Sequence, residues 1–422
     1  MNTKIILPVT LLLLNIVACN TTDPPPPDSE KATLKLKLED VSCIEAWIRL
    51  TTTNLQLPAT VIIKQYNSTG DTLSHISILN TQDSLLYIDS LLPNQTYKFH
   101  TTIQAFNQST SNELSVTTMD TTSHNFTFET FTFGGTAGSS VLYDVAIINE
   151  NNIWAVGEIY VADTSQNGYT MYNAVHWDGN QWELKRILYD GNIWTIKTIF
   201  AFNQNDIWFS AFVRYDGQKF IELPISPILT GWSINKIWGS SSSNLYVVGN
   251  NGNIVFYNGT SWSRIESGTD LNIGDIWGIT DDSGGYNKYI AADNAMLKLD
   301  EDNNLSRIDA EPGMILNSVW GISNRLIYTA GDGIVLYKNN NWEKIYSQGV
   351  NTIYRIRGQY YNDICGIGSP GSIIYHFNGY SWASINPDPN NRYRSIDIKE
   401  NTIAVSGYQG EKAAITILRR NN

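Results

Sequence analysis

A unit of about forty residues recurs seven times between residues 122 and 422, and this periodicity constrains the chain more than any other feature. Each unit opens on a short apolar run: "DVAI" at 144, "TIFAF" at 198, "KIWGS" at 236, "DIWGI" at 275, "SVWGI" at 318, "RIRGQ" at 355 and "SIDIK" at 395. A second run follows in most units, as "NIWAVG" at 152, "DIWFSA" at 206, "NLYVVG" at 244, "LIYTAG" at 326, "DICGIG" at 363 and "TIAVSG" at 402. The unit then closes on two aromatics either side of a turn, as in "VHWDGNQWELKRI" at 175–187, "FVRYDGQKFIEL" at 212–223, "IVFYNGTSWSRI" at 254–265, "IVLYKNNNWEKI" at 334–345 and "IIYHFNGYSWASI" at 373–385. Short apolar runs bounded by turn residues read as strands. Asn-Gly or Asp-Gly between them reads as a two-residue hairpin turn, because it supplies positive φ values.

Four strands per unit, seven times over, is the arrangement of a β-propeller. The seventh unit runs out at "AAITILRRNN" on its third strand, whereas "NFTFETFTFGG" at 125–135 aligns with the fourth strands of the other units. An N-terminal strand is therefore expected to complete the last blade and cover an open edge. With "VWGI", "IWAVG" and "YNGTSW", the units resemble the propeller repeats of bacterial surface lipoproteins. That resemblance implies a propeller over 122–422 without implying an activity.

Residues 31–119 alternate in short strands with no helical stretch, the pattern of a β-sandwich. Trp47 in the second strand and "LLPNQTY" with Leu91, Pro93 and Tyr97 resemble a fibronectin type III domain, with Asn94 where that family keeps Gly. Asn tolerates the left-handed conformation such a corner needs. The expected fold class is all-β, a fibronectin III-like sandwich followed by a seven-bladed propeller closed by an N-terminal strand.

Residues 1–18, "MNTKIILPVTLLLLNIVA", carry Lys4 and then an apolar run too short to span a bilayer, which reads as a secretory signal. "IVAC" ending at Cys19 resembles a bacterial lipobox, which implies cleavage before Cys19 and lipid attachment to it. Residues 19–30 include four consecutive prolines and read as a semi-rigid polyproline spacer. Asn20 after the lipid-bearing Cys favours, by the same resemblance, the outer membrane of the bacterial envelope, on its periplasmic or exposed side.

The formal net charge of −12 argues against nucleic acid as a partner. Beyond Cys19 only Cys43 and Cys365 remain, so at most one disulfide is possible and stability must come from burial. Asp300 to Glu311 spaces its oxygens like a calcium loop, but Leu305 stands where the sharp turn needs Gly. His75, His100, His124, His176 and His376 show no zinc spacing, and no cofactor motif or Gly-x-Ser-x-Gly occurs. Loops carry function on a rigid scaffold, which singles out 158–172 as a long loop of the first unit. Beside it stand Trp194 and Trp232, with Asp332 and Lys412 in the corresponding loops of later units. Arg357 replaces the Trp of Trp238, Trp277 and Trp320, and is either an anion site in the bore or half of an ion pair. The expected role is a lipid-anchored, non-enzymatic platform binding a protein or glycan. The alternative, a polysaccharide-degrading propeller enzyme, requires two carboxylates about 5–10 Å apart at the mouth of the bore.

Overall fold

The computed structural model describes residues 31–103, 109–210, 212–231, 233–280, 284–311, 313–346, 352–369 and 372–421. The expected signal, Cys19 and the proline spacer lie outside these residues, as does Trp232. Among the described residues no helix is long and apolar enough to cross a membrane. The chain divides into two compact units. One comprises the residues up to Glu39 with Trp47–Tyr87 and Tyr97–Val116, the other Asp40–Ala46, Ile88–Thr96 and Thr117 onward.

The N-terminal strands are β1 (Thr33–Val41), β2 (Ala46–Thr53), β3 (Ala59–Tyr66), β4 (Thr72–Leu79), β5 (Asp83–Ile88), β6 (Thr96–Ile103) and β7 (Leu114–Thr117). They make two sheets, ordered β1-β2-β5 and β4-β3-β6-β7. Alternation along β2, β3 and β6 buries Ile48, Leu50, Val61, Ile63 and Phe99, as period two requires for a strand with one face inward, and Trp47 is buried on the other face of β2. Asn94 takes φ 52, the left-handed value expected at the corner.

Strand β8 (Phe126–Phe133) begins a different texture. Seven four-stranded antiparallel sheets follow among the described residues. Their innermost strands are Val141–Asn149, Ile199–Asn203, Ile234–Ser241, Ile273–Thr280, Leu316–Ser323, Ile353–Tyr360 and Asn391–Lys399, and the sheets are numbered one to seven in that order. Each is a meander except the seventh, whose outer strand is β8, paired antiparallel to Lys412–Arg420 with Ile417 opposite Glu129. Successive innermost strands pack on one another, and that of sheet seven packs on that of sheet one.

The Trp-Gly pair of the repeat follows from this packing. A Cβ on Gly278 would sit 2.0 Å from the Trp238 ring, and one on Gly358 would sit 2.7 Å from the Trp320 ring. Each Trp thus lies over a glycine of the next sheet, a place no side chain can share. The second-strand Trp also bonds back to the residue two before it: Trp154 Nε1 donates to Asn152 at 3.1 Å and Trp208 Nε1 to Asp206 at 3.1 Å.

The outer hairpins differ from the expected two-residue turn. Tyr257 pairs with Trp262, so the loop holds four residues. Only Gly259 has positive φ, and Asn258 Oδ1 accepts from the backbone of Thr260 at 2.9 Å and Ser261 at 2.8 Å. Asp178, Asp216 and Asn378 cap their loops in the same way. The repeat therefore keeps Asn or Asp for its acceptor oxygen. In sheet five, where Lys338 pairs with Asn341, Asn339 and Asn340 at φ 52 and 62 make the two-residue turn. The flanking aromatics meet in every case, with ring centroids 4.6 Å apart for Tyr257 and Trp262 and 4.8 Å for Tyr337 and Trp342.

Candidate functional site

The first residue of each repeat lines the bore. Asp144, Thr198, Lys236, Asp275, Ser318 and Ser395 are buried, and Arg355 is partly buried. Asp144 accepts from Lys236 Nζ at 2.6 Å, Thr198 Oγ1 at 3.1 Å and Ser395 Oγ at 2.7 Å, joining four sheets through one carboxylate. Asp275 accepts from Ser318 and is held by Arg355 at 3.0 Å and by Arg357 on both oxygens, at 2.8 and 2.9 Å. Burial alone would raise the Asp275 pKa, but Arg357 and Arg355 outweigh it and hold the carboxyl below its ordinary range.

Arg357 is therefore one half of an ion pair, and its guanidinium stacks 5.2 Å over the Trp277 ring. Beside it a cavity of about 190 Å³ is lined by Lys236, Trp238, Trp277, Arg357 and Asp397. Asp397 accepts from the backbone of Ile147 at 2.7 Å and Ile398 at 3.0 Å. Burial pushes its pKa up despite those bonds. All three carboxylates at the bore are thus engaged by protein donors.

A larger concavity opens on the side of the sheets that carries the turns between second and third strands. Its volume is about 470 Å³, and Ile187, Ile196, Phe212, Val213, Ile225 and Ile234 are among its apolar walls. That size is within the range of ligand pockets. Trp194 projects into it with 63% of its surface exposed, and Ile225 is 40% exposed. The connection carrying Trp194 is set by Asn173, which is buried and donates to Ile187 O at 2.7 Å and Trp194 O at 2.9 Å while accepting from Ile187 N at 2.8 Å.

Of the residues singled out from sequence, Trp194 lies in this groove, and Ser233, the neighbour of Trp232 in the chain, also lines it. Asp332 is a partly buried bend between Gly331 and Gly333, and Lys412 is exposed at the start of its strand. Neither lines the groove. The loop expected at 158–172 is mostly strand: Asn152–Ala162 pairs with Tyr169–Trp177 out to Ala162 and Tyr169. The extra length of the first repeat also holds a small hairpin, Leu188–Tyr189 with Asn192–Ile193, and Tyr189 and Asn192 form part of the groove wall. No apolar periodicity announces a two-residue strand, so the sequence hid it.

A second cluster was not foreseen. His376, fully buried, places Nε2 2.9 Å from Asp363 Oδ1 and Nδ1 2.7 Å from His124 Nδ1. His124 Nε2 lies 3.3 Å from Ser381 Oγ, and Arg420 also pairs with Asp363. A carboxylate accepts the Nε2 proton of His376, leaving its Nδ1 to accept from His124. Burial first, then the repulsion a proton on His124 would meet from the neighbouring imidazole and the Arg420 guanidinium, holds the His124 pKa below its usual range. Cys365, beside them, is a buried free thiol whose pKa burial raises. Among the described residues no group of three or more His, Cys, Asp or Glu side chains could hold a metal ion.

No protein-family model matches the chain, and no curated protein is significantly similar to it. Among solved structures, YCF48 bound to D1 peptide is similar with a TM-score of 0.52 at 13% identity, over 72% of this chain and 97% of that one. The WD40 β-propeller domain of Doa1 is similar with a TM-score of 0.52 at 12% identity, over 71% of this chain and 99% of that one. The repeated sheets have the β-propeller fold. On the propeller, the groove beside Trp194 lies where connections between sheets meet turns within them, and the polar network lies across the bore.

Proposed function

We propose that the propeller is a non-enzymatic docking head that receives a protein or glycan partner in the groove beside Trp194. One observation carries the reading: a groove of about 470 Å³ with apolar walls holds a tryptophan left 63% exposed. A rigid aromatic standing in an apolar concavity is the kind of side chain that dominates binding energies. YCF48, a neighbour of the same fold, was solved bound to a peptide, which supports the reading. The enzyme alternative has less support, because among the described residues Asp144, Asp275 and Asp397 at the bore are each engaged by protein donors.

The head is proposed to be a ring of seven blades, 122–422, closed by β8, with the pairing of β8 to Lys412–Arg420 as its support. Residues 31–119 are proposed as a fibronectin III-like spacer, from the order of their sheets, β1-β2-β5 and β4-β3-β6-β7, and the buried Trp47 and Tyr97. The lipobox-like "IVAC" supports a lipid anchor on Cys19, with residues 1–18 removed and the proline run as a stalk at the bacterial envelope. Screening the full chain against glycan arrays and displayed peptides tests the docking reading. Trp194→Ala should weaken the ligand found by about 1–3 kcal/mol with the melting temperature little changed, because the ring is exposed. Binding untouched by Trp194→Ala and by Ile225→Ala would move the site away from this groove.

A further inference from the structure

The groove runs toward the mouth of the bore, and the repeat dictates what stands there. In six sheets the residue just before the bore-lining position is the extra residue of a β-bulge in the innermost strand. The pairings skip Tyr143, Asn235, Gly274, Asn317, Tyr354 and Arg394. Lys197 holds the same place, just before Thr198, ahead of the innermost strand of sheet two. Bulges turn a side chain out of the ladder and are common beside functional sites.

Two of these seven positions are cations and none is an acid, in a chain whose formal net charge is −12. Both cations are exposed, and they belong to sheets seven and two, whose innermost strands both pack on that of sheet one. Tyr143 stands on that shared strand, and Arg394 is close enough for its charge to act on the Tyr143 phenol. Arg394 lies 5.5 Å over the Tyr408 ring, and Lys197 lines the groove itself. Neither forms an ion pair among the described residues.

Glu158 is the nearest acid to Tyr143, and neutral donors occupy it: Tyr143 Oη at 2.8 Å, Thr195 Oγ1 at 2.9 Å and Tyr160 Oη at 3.4 Å. Thr195 also lines the groove, so this carboxylate ties the mouth to the groove wall while leaving both cations unmatched.

We infer that the occupant is an acidic peptide segment, with a large apolar side chain in the groove beside Trp194, one carboxylate at Lys197 on the groove wall and a further one toward Arg394 on the far side of sheet one. The inference rests on the docking reading above and narrows it to one class of ligand. A peptide fits better than a sugar because Ile187, Ile196, Val213, Ile225 and Ile234 make much of the wall aliphatic and the buried amide of Asn173 is already bonded to backbone, while Asp190 on the same wall directs an acidic group toward Lys197 and away from itself. A sugar ring needs free hydroxyl partners. Charge complementarity then selects an acid, since an exposed cation without a partner gains most from a carboxylate.

The test is selection of random dodecapeptides displayed on phage against the full chain in detergent, followed by affinity measurement on the synthetic winner. Selected sequences should pair Asp or Glu with Leu, Phe or Trp. Lys197→Ser and Arg394→Ser should each weaken the winner by about 3–5-fold, the range of one exposed ion pair. Replacing the acid of the peptide by its amide should weaken binding to the wild type but cost nothing further against the doubly substituted chain. Selection that depends on Trp194 but shows no preference for acids, or an acid preference unchanged in the double variant, overturns this inference and leaves the docking reading standing. An acidic oligosaccharide bound in place of any peptide overturns the peptide class. Peptide selection indifferent to Trp194→Ala overturns both readings.

Discussion

At the scale of residues, the Asp275–Arg357 pair decides how the bore behaves. Both groups are almost wholly buried, and Arg357 bonds both Asp275 oxygens, with Arg355 and Ser318 on the same carboxylate. Truncating one partner of a buried pair usually costs about 3–5 kcal/mol, and here Arg355 would be left as the single cation on Asp275. Arg357→Ala should therefore lower the melting temperature sharply, while the doubly apolar Asp275→Leu with Arg357→Met should recover part of the loss. Because the folded pKa of Asp275 is depressed, its contribution is complete above the ordinary carboxylate pKa and disappears only as pH falls through the lower folded value. Acid unfolding of Arg357→Ala should begin at higher pH than that of the wild type. His124 carries the opposite charge with the same sign of slope. The unfolded chain takes up its proton near the ordinary pKa of about 6.5, the folded chain only at lower pH. Stability should then fall as pH drops from that value toward the folded one, and His124→Gln should flatten the slope in chemical denaturation at a series of pH values.

At the scale of elements, the fourth strand of sheet seven comes from nearly 290 residues earlier in the chain, where Phe128 lies opposite Leu418. Deleting 126–133 leaves the ladder of Lys412–Arg420 open and removes Phe131 and Phe133, which pack against the core beside sheet one, so that core is uncovered. Calorimetry should show a large fall in melting temperature, and an unchanged value would remove β8 from any role in closure. This strand was legible in the sequence because Phe128-Glu129 in "NFTFET" matches Trp182-Glu183 and Trp342-Glu343 of other fourth strands. So were the starts of the repeats, since an apolar run ending in Gly is a local signal. The bulges were not legible, for inserting one residue into a strand leaves its composition unchanged. Nor was the contact between His124 and His376, which are 252 positions apart and meet only when sheets six and seven are assembled. Trp194 was legible as a lone aromatic in a connection, whereas the walls that make its surroundings a groove come from three sheets and have no shared motif.

At the scale of the whole molecule, the proposed anchor and the propeller make separate demands, and charge lets them be tested apart. A single acyl chain holds a protein on a bilayer only marginally, whereas the two or three implied by a lipobox hold it firmly, at about 0.8 kcal/mol per buried CH₂. The rest of the chain adds no compensating attraction, because a formal net charge of −12 over the whole sequence is repelled by anionic headgroups. Retention at the membrane should thus depend on Cys19 alone. Cys19→Ser, expressed in a bacterial host, should lose incorporation of labelled fatty acid and move to the soluble fraction, at low salt as well as high. Its ligand binding at the groove should be unchanged, since residue 19 lies outside the propeller sequence. Labelled fatty acid on the Cys19→Ser chain would refute the anchor. A chain that loses the label yet stays on the membrane at low salt and leaves it at high salt would point instead to an electrostatic contact that the charge of this molecule does not explain.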